Sequence, residues 1–490
     1  MRALNIFVFN FILIFFVSCS KSEDAEIILA MDGSPITLDP FWAQDAYSTR
    51  IVSLIFDGLV RIDNFVPKPH LAEKIEIEGK RLKISLRKNV LFHNGKELDS
   101  DDVLYTFSKL ITSSSPRSFP FKNIKIKKTG KYTVEIELDT PFAPFLTSLA
   151  QPIVSETSST DEPNGTGPFI PLEYKRGQYI ILKSNKNYFM SPPKFNTLKI
   201  KFVPDDTSRI LEFEKGDINI IVNAVPFHFL PKLRKEKANI IETEGINLYY
   251  LAFNMKREFT SDLRLRKAIF CTINEYRERL IEGLTFNSVE SAFSILPKKH
   301  WAYYFESEDR CSSEDAVRII NEIKREKGIE KIPLVWKTST NKTALRIATA
   351  LSSYLERVGI DINLVQREFS TFFSEIQRGE YDIHSLIWVG VVEPDIFRFV
   401  FHSKSIPPNG ANRTFFSNPY LDTLLEKGAY TWNTEERKYF YAKAQKILLE
   451  EKPYIYLWHI KDIVLSRCIE NIHPLPGGDL YFLKDIKKRC

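Results

Sequence analysis

A short run in the first half of the chain, Asn164-Gly165-Thr166-Gly167-Pro168-Phe169, constrains the backbone strongly. Glycine tolerates positive φ and proline presets φ, so two glycines and a proline within six residues specify a tight turn. A β-rich segment, Phe169 to Tyr174, follows this turn, and a second turn at Lys175-Arg176-Gly177 leads to the apolar run Tyr179 to Leu182. The pattern predicts two adjacent strands in a fold that contains β-sheet.

The amino terminus has the layout of an export signal. An apolar stretch from Leu4 to Val17 follows Arg2 and is shorter than the about 20 residues of a membrane-spanning helix. It ends at Phe16-Val17-Ser18-Cys19, which resembles the lipidation site of bacterial lipoproteins. We predict a signal peptide over residues 1–18, lipid attachment at Cys19 and a tether over residues 19–25. Phe16 replaces the usual leucine, so an ordinary cleaved signal with an incidental cysteine stays open.

The composition is typical of a large globular protein, and the charge distribution does not indicate a nucleic-acid-binding surface. The 490 residues are 43% apolar and 27% charged, enough for two or three domain-sized cores. The net charge of +6 is spread along the chain, and its basic block Lys125-Ile126-Lys127-Lys128 is short. Because nucleic-acid-binding proteins cluster their basic residues, we expect no nucleic-acid partner.

The cysteines indicate structural thiols or disulfides. Besides Cys19 the chain has Cys271, Cys311, Cys468 and Cys490, which allow three pairings if all are oxidised. Their spacing contains no CxxC pair, and no histidine lies near them at the spacing of a zinc site. We predict neither a metal site nor a cofactor.

The region from residue 332 to 390 alternates between apolar strands and amphipathic helices. This order predicts a compact α/β lobe with helices on the faces of the sheet. The predicted elements are a strand at Pro333–Thr338, a helix at Ala344–Val358, a strand at Ile360–Gln366, a helix at Thr371–Arg378 and a strand at His384–Val389.

The sequence lacks the motifs that carry common catalytic chemistry. It contains no GxSxG elbow, P-loop, HExxH or Rossmann glycine fingerprint. His93 lies at an Asn-Gly turn with no visible base or orienting partner, so we interpret it as structural. The chain is therefore predicted to bind a ligand rather than to act as an enzyme.

Ordered blocks across residues 26–465 resemble the family-5 solute-binding proteins of bacterial ABC importers. The matching blocks include Leu38-Asp39-Pro40, Gly58-Leu59-Val60, Pro69 to Glu73, the Gly165 to Pro168 turn, Tyr249 to Asn254, and Asp262, Arg264, Arg266 and Ala268. The resemblance implies an α/β periplasmic-binding-protein type II fold, with mixed sheets, flanking helices and ligand enclosed between two lobes. It implies lobe I at residues 26–255 plus 460–490, including an extra subdomain of about 70–185, and lobe II at 256–459.

The same resemblance implies where the ligand binds. In peptide-binding members a tryptophan, here Trp388, lines the site, and an aspartate three residues later pairs with the peptide ammonium. This chain has Val391 at that position, so Glu393 or Asp395 is expected to replace the aspartate. The predicted ligand-binding residues are Trp388, Gly390, Val391, Glu393, Tyr250, Asn254 and Asp45.

The resemblance implies a monomeric substrate-binding lipoprotein, lipid-anchored at the periplasm or cell surface. Its expected partners are a peptide or related small solute, the ABC permease with its ATPase, and the bilayer through the lipid. The missing aspartate favours an alternative, a receptor for a non-peptide or modified-peptide solute. A further alternative is a surface interaction lipoprotein that kept the fold without transport.

Overall fold

The computed structural model describes residues 26–236, 238–306 and 311–489. The predicted signal peptide, Cys19 with its tether, and Cys490 lie outside the described residues. Within those ranges no helix is long and apolar enough to cross a membrane. The same residues contain no group of three His, Cys, Asp or Glu side chains placed to hold a metal ion.

Strands occur along the whole described chain. They are β1 Glu26–Met31, β2 Val60–Asp63, β3 Val66–Pro69, β4 Ala72–Glu78, β5 Arg81–Leu86, β6 Ile124–Gly130, β7 Thr133–Leu138, β8 Phe169–Lys175, β9 Tyr179–Ser184, β10 Thr197–Phe202, β11 Ile220–Val222, β12 Asn239–Phe253, β13 Val289–Ser291, β14 Ile332–Ser339, β15 Ile360–Arg367, β16 Ile383–Trp388, β17 Tyr454–Ser466, β18 Ile469–Glu470 and β19 Lys487–Lys488.

Helices alternate with these strands. They are α1 Ala46–Ile55, α2 Ser100–Thr112, α3 Phe145–Ser148, α4 Asp206–Lys215, α5 Leu230–Lys235, α6 Leu263–Thr285, α7 Ser313–Lys327, α8 Lys342–Arg357, α9 Phe369–Gln377, α10 Ile396–Phe401, α11 Pro419–Tyr430 and α12 Thr434–Glu451.

The first lobe combines two sheets around a shared core. Strand β1 pairs in parallel with β10 and β11, and β9 and β8 extend this sheet in antiparallel fashion. A separate antiparallel sheet has the order β4–β5–β7–β6 and packs against α2. One apolar cluster joins both sheets, so this lobe is stabilised as a unit.

The second lobe is built around β14, which pairs in parallel with β15 and β16. Strand β16 pairs antiparallel with β12. Helices α6, α7 and α8 cover one face of the sheet, and α10, α11 and α12 cover the other. Side chains alternate along β12, so Tyr249 packs into the core under α6, α7 and α8, and Tyr250 packs into the core under α10, α11 and α12.

Two long paired strands, β12 and β17, connect the lobes. Residues 239–243 of β12 pair with the part of β17 that also pairs with β11 in the first lobe. Residues 247–252 pair with β17 as well, and from Leu248 onward β12 also pairs with β16 in the second lobe. The pairing register shifts between Thr243 and Asn247. Gly245 lies in this irregular stretch, where an added Cβ would stand 1.7 Å from the Ile460 carbonyl oxygen. The lobe boundaries at residues 255 and 460 stay predictions.

The glycines of the Asn164 to Phe169 segment are needed for close packing. Gly165 and Gly167 do not have positive φ, contrary to the expectation from turn chemistry. A Cβ on Gly165 would stand 2.1 Å from the Ile55 carbonyl oxygen, and Gly167 N donates to that oxygen at 2.9 Å. The His93 ring hydrogen-bonds the Gly167 carbonyl oxygen at 3.0 Å, which agrees with a structural role for this histidine.

One disulfide joins Cys271 of α6 to Cys311, which lies two residues before the start of α7. The sequence allowed three ways of pairing the four cysteines, and the structure shows the one in which Cys271 bonds to Cys311. Cys468 is also disulfide-bonded. The Cys271–Cys311 bond therefore fastens two helices that cover the same face of the second-lobe sheet.

Candidate functional site

Trp388, the last residue of β16, stacks on Tyr250 of β12. Their ring centroids are 6.0 Å apart and the planes differ by 10°. Tyr250 also stacks on Tyr454, with centroids 4.2 Å apart, and is only 1% exposed. Because Trp388 is half-buried, it forms the accessible end of this aromatic stack. The structure thus brings together two of the predicted site residues.

Arg413 lies beside the same tryptophan. Its Cζ atom is 5.3 Å from the centroid of Trp388 and 4.8 Å from that of Phe373, which lies on α9. The sequence alone did not point to this arginine, because a basic residue in the polar loop before α11 is expected to be a solvated surface group. Its burial is set entirely by packing.

The segment after β16 is apolar at Val391, the position at which the resemblance implied an aspartate. Gly390 has φ of 69°, a conformation that favours glycine, and its N–H donates to Asn247 Oδ1 at 3.0 Å. Val391 is buried in the core that also contains Tyr250 and Phe397. An ammonium group placed at Val391 would find no carboxylate at that residue, as the sequence predicted.

Glu393 connects the two lobes. Its carboxylate accepts a 2.9 Å hydrogen bond from Thr147 Oγ1 of α3 and forms an ion pair with Arg437 of α12. Burial raises the pKa of Glu393, and Arg437 partly offsets the shift. Both carboxylate oxygens therefore already have donors, while the predicted role of Glu393 as acceptor for a ligand ammonium stays a prediction.

Asp395, the other acid proposed from the sequence, is bound to Arg398. The guanidinium donates to its two carboxylate oxygens at 2.8 and 2.7 Å. Burial raises the pKa of Asp395, and the Arg398 pair opposes this shift. The two acids nearest to Val391 in sequence are thus each paired with an arginine.

Asn254 and Asp45 have local structural partners. The Asn254 amide donates to the carbonyl oxygens of Gly379 and Tyr381 at 2.9 and 3.0 Å, and its oxygen accepts from Lys256 N. Asp45 caps α1 and accepts from Ser48 N at 2.9 Å. Among the described residues, neither side chain forms a hydrogen bond with the other predicted site residues. Their contacts with ligand stay predictions.

The lobes also touch near this region. Ala143 N donates to the Ala429 carbonyl oxygen at 2.9 Å, and Trp432 Nε1 donates to the Gly79 carbonyl oxygen at 2.8 Å. A surface depression of about 730 Å³ lies elsewhere, beside the glycine turn, and the residues that line it all belong to the first lobe. The predicted site residues do not line that depression.

Comparison with known proteins identifies the family. A model described as bacterial extracellular solute-binding proteins, family 5, middle region, matches residues 66–406, which is more than half of the chain. The chain belongs to the bacterial extracellular solute-binding proteins of family 5. This family consists of substrate-binding proteins of transporters, so the predicted family and the prediction that the chain is not an enzyme are confirmed.

Relatives in family 5 align over most of their length. The dipeptide-binding protein of Escherichia coli is 25% identical over 88% of this chain and 89% of its own. The heme-binding protein A of Haemophilus influenzae is 27% identical over 80% of this chain and 79% of its own.

A solved family 5 structure has the same architecture. The oligopeptide-binding protein AppA from Bacillus subtilis, in complex with a nonapeptide, superimposes with a TM-score of 0.75. It covers 95% of this chain and 99% of its own, at 23% identity. The likeness confirms the predicted two-lobed periplasmic-binding-protein fold.

Proposed function

We propose that this protein captures peptides outside the cytoplasmic membrane and delivers them to the permease and ATPase of an ABC importer. The observation that carries the proposal is the family 5 match over residues 66–406. The Escherichia coli relative is a dipeptide-binding protein, and the AppA structure holds a nonapeptide. Both support a peptide as the ligand class.

The edge of β16 supports an extended ligand. This strand pairs with β14 only through Ile383 and His384, whereas its pairing with β12 runs to Trp388. The backbone between His384 and Trp388 therefore has a strand partner on one side in the described structure. An extended peptide can add to such an edge through main-chain hydrogen bonds, which do not depend on its sequence. Trp388 would then pack on a peptide side chain.

Closure of the lobes would tell the permease that the receptor holds a ligand. Ligand between the lobes favours the closed arrangement, in which Thr147 meets Glu393, and an ABC permease can distinguish closed from open receptors. The hinge in this proposal is the β12–β17 crossing, with the chain divided near residues 255 and 460. The remaining predicted contacts, Gly390, Asn254 and Asp45, belong to the same proposal.

We further propose that the protein is exported, lipid-anchored through Cys19 and monomeric. The support is the apolar segment Leu4 to Val17, the following cysteine, and the extracellular character of family 5. Membrane attachment would hold the receptor near its permease.

A second candidate is a receptor for a non-peptide or modified-peptide solute. Val391 favours it, since a buried peptide ammonium needs an anionic partner and the nearby acids are paired with arginines. The Haemophilus influenzae relative is named for binding haem, so the family extends beyond peptides.

Native mass spectrometry of the purified protein tests both candidates. A co-purified peptide, or closure on titration with a peptide mixture measured by small-angle scattering, is the expected result. A co-purified solute of another class would favour the second candidate. Binding of a macromolecule without closure would indicate a surface interaction protein instead.

A further inference from the structure

Arg413 is a buried cation that no carboxylate neutralises. It is 7% exposed, and within the described ranges no Asp or Glu forms an ion pair with it. Its Nε atom is buried and has no hydrogen-bond partner. Its polar neighbours include the neutral hydroxyls of Tyr250, which hydrogen-bonds the guanidinium, and of Tyr381 and Tyr454. A buried charge left in this state costs considerable free energy.

The other buried arginines of this chain show that Arg413 is exceptional. Each has several acceptors at its guanidinium: Arg209 donates to the Ala224 and Val203 carbonyl oxygens, Arg266 to those of Glu451 and Thr260, Arg277 to those of Ala292 and Leu457, and Arg437 to Glu393 and the Gly428 carbonyl oxygen. Structural arginines in this fold are thus neutralised or hydrogen-bonded by the protein itself.

Two aromatic rings hold the guanidinium in place. Trp388 and Phe373 lie 5.3 and 4.8 Å from its Cζ atom, distances typical of cation–π contacts. Such contacts hold the planar guanidinium in one orientation, but they compensate for only part of the hydration that the group loses on burial. The N–H donors of a fixed guanidinium match the two oxygens of a carboxylate.

Other ionisable groups at this place do not compete for an anion. Burial, reinforced by Arg413, keeps the pKa of His384 well below its usual value, so this histidine is neutral. Lys337, on the neighbouring strand β14, is paired with Glu375 at 2.6 Å. Val391, three residues after Trp388, adds no charge. Arg413 is therefore a cation without a carboxylate partner, among the described residues, at the accessible end of the aromatic stack.

We propose that Arg413 is the charged anchor of the ligand site and binds a carboxylate of the solute, stacked in place by Trp388 and Phe373. The inference rests on the proposed capture function and names the ligand chemistry. The charged group that the site binds is an anion of the solute, and not the peptide ammonium that the family resemblance implied. In a peptide the carboxylate is either the C-terminus or an acidic side chain.

Calorimetry with three short peptides tests this anchor and separates the two sources. The probes are trialanine, trialanine amide and Ala-Glu-Ala amide, measured with the wild type, Arg413→Gln, Arg413→Lys and the surface control Arg378→Gln. We expect the wild type to bind trialanine at least about 30-fold more tightly than its amide. Arg413→Gln should abolish the difference, Arg413→Lys should keep part of it, and Arg378→Gln should leave it unchanged. Recovery of affinity with Ala-Glu-Ala amide would identify an acidic side chain as the source.

Equal affinity of the wild type for trialanine and its amide, with Ala-Glu-Ala amide no better, would overturn the inference while leaving peptide capture intact. If no peptide binds, peptide capture fails, and thermal unfolding with succinate decides the anchor. Succinate should raise the midpoint of the wild type and not that of Arg413→Gln; no rise in the wild type overturns the inference. Ligand-free Arg413→Gln should unfold no lower than the wild type, because it loses an unneutralised buried charge. A large drop, together with unchanged succinate response, would assign Arg413 a structural role and overturn the proposal.

Discussion

The Thr147 hydroxyl of the first lobe donates a 2.9 Å hydrogen bond to the Glu393 carboxylate of the second lobe. The two residues are 246 positions apart in sequence. Glu393 keeps its ion pair with Arg437 within the second lobe, so only the Thr147 bond depends on the lobes being close. In the proposed hinge motion this bond stabilises the closed arrangement and not the open one.

Thr147→Val should shift the protein towards the open arrangement. Valine keeps the shape of threonine but cannot donate, and a hydrogen bond to a charged group contributes about 1.5–3 kcal/mol. We expect a larger radius of gyration without ligand, measured by small-angle X-ray scattering. Thr112→Val is the control, since that hydroxyl bonds only within its own helix α2. Identical scattering from Thr147→Val and the wild type would contradict a role in closure.

Gly245→Ala should destabilise the strand crossing. The new Cβ would meet the backbone oxygen of Ile460, which cannot move without disturbing β17. Overpacking of this kind costs about 1–3 kcal/mol, measurable by urea unfolding. Gly283→Ala is a matched control, because Gly283 lies exposed in α6 with no atom within 4 Å of the added Cβ. The control should be stabilised by about 0.5–1 kcal/mol, and similar effects at both glycines would refute the argument.

Asp462→Asn should remove a pH dependence of stability. Burial raises the pKa of Asp462 to about 6, despite hydrogen bonds from Asn223 Nδ2 and Gly477 N. The folded state then holds this proton more tightly than the unfolded chain. The stability from this group is complete below about pH 4 and lost as the pH rises through about 6.

Between pH 4 and 7 the wild type should therefore lose up to about 3 kcal/mol relative to Asp462→Asn. The free energy of unfolding in urea at three pH values measures this difference. Asp361→Asn, at an exposed position of β15, should follow the wild type. Parallel profiles for the wild type and Asp462→Asn would show that Asp462 does not titrate as expected.

Replacing both Cys271 and Cys311 by alanine should lower stability. The disulfide closes a loop of 40 residues, for which the chain-entropy model gives about 4 kcal/mol. Urea unfolding of both proteins without reducing agent is the measurement, because a reductant would also break the bond of Cys468. A double variant as stable as the oxidised wild type would contradict the expectation.

Cys19→Ala should release the protein from the membrane. Diacylated lipoproteins stay attached because two or more acyl chains anchor firmly, whereas one chain binds only marginally. Fractionation of cells and the mass of the mature amino terminus check this. A variant that stays membrane-bound, or a wild type without lipid mass, would leave only the ordinary cleaved signal.

Helix caps and the spacing of apolar residues made many of the helices and strands predictable from the sequence. Asp205 caps α4 and Gly216 ends it with φ of 90°, as expected from the preference of aspartate for helix N-caps and of glycine for helix ends. The strands and helices predicted between residues 332 and 390 agree with β14 to β16 within two residues at each end. Caps and apolar periods act over a few residues, so they can be read without the tertiary structure.

By itself the sequence determined the family, the α/β class and the absence of an acid at Val391. Only the tertiary structure decided that Cys271 pairs with Cys311, that Glu393 meets Thr147, and that Arg413 is buried against Trp388 without a carboxylate. These contacts join residues far apart in the chain. Their existence depends on which helices cover each face of the sheet and how closely the lobes approach, and no local propensity encodes that packing.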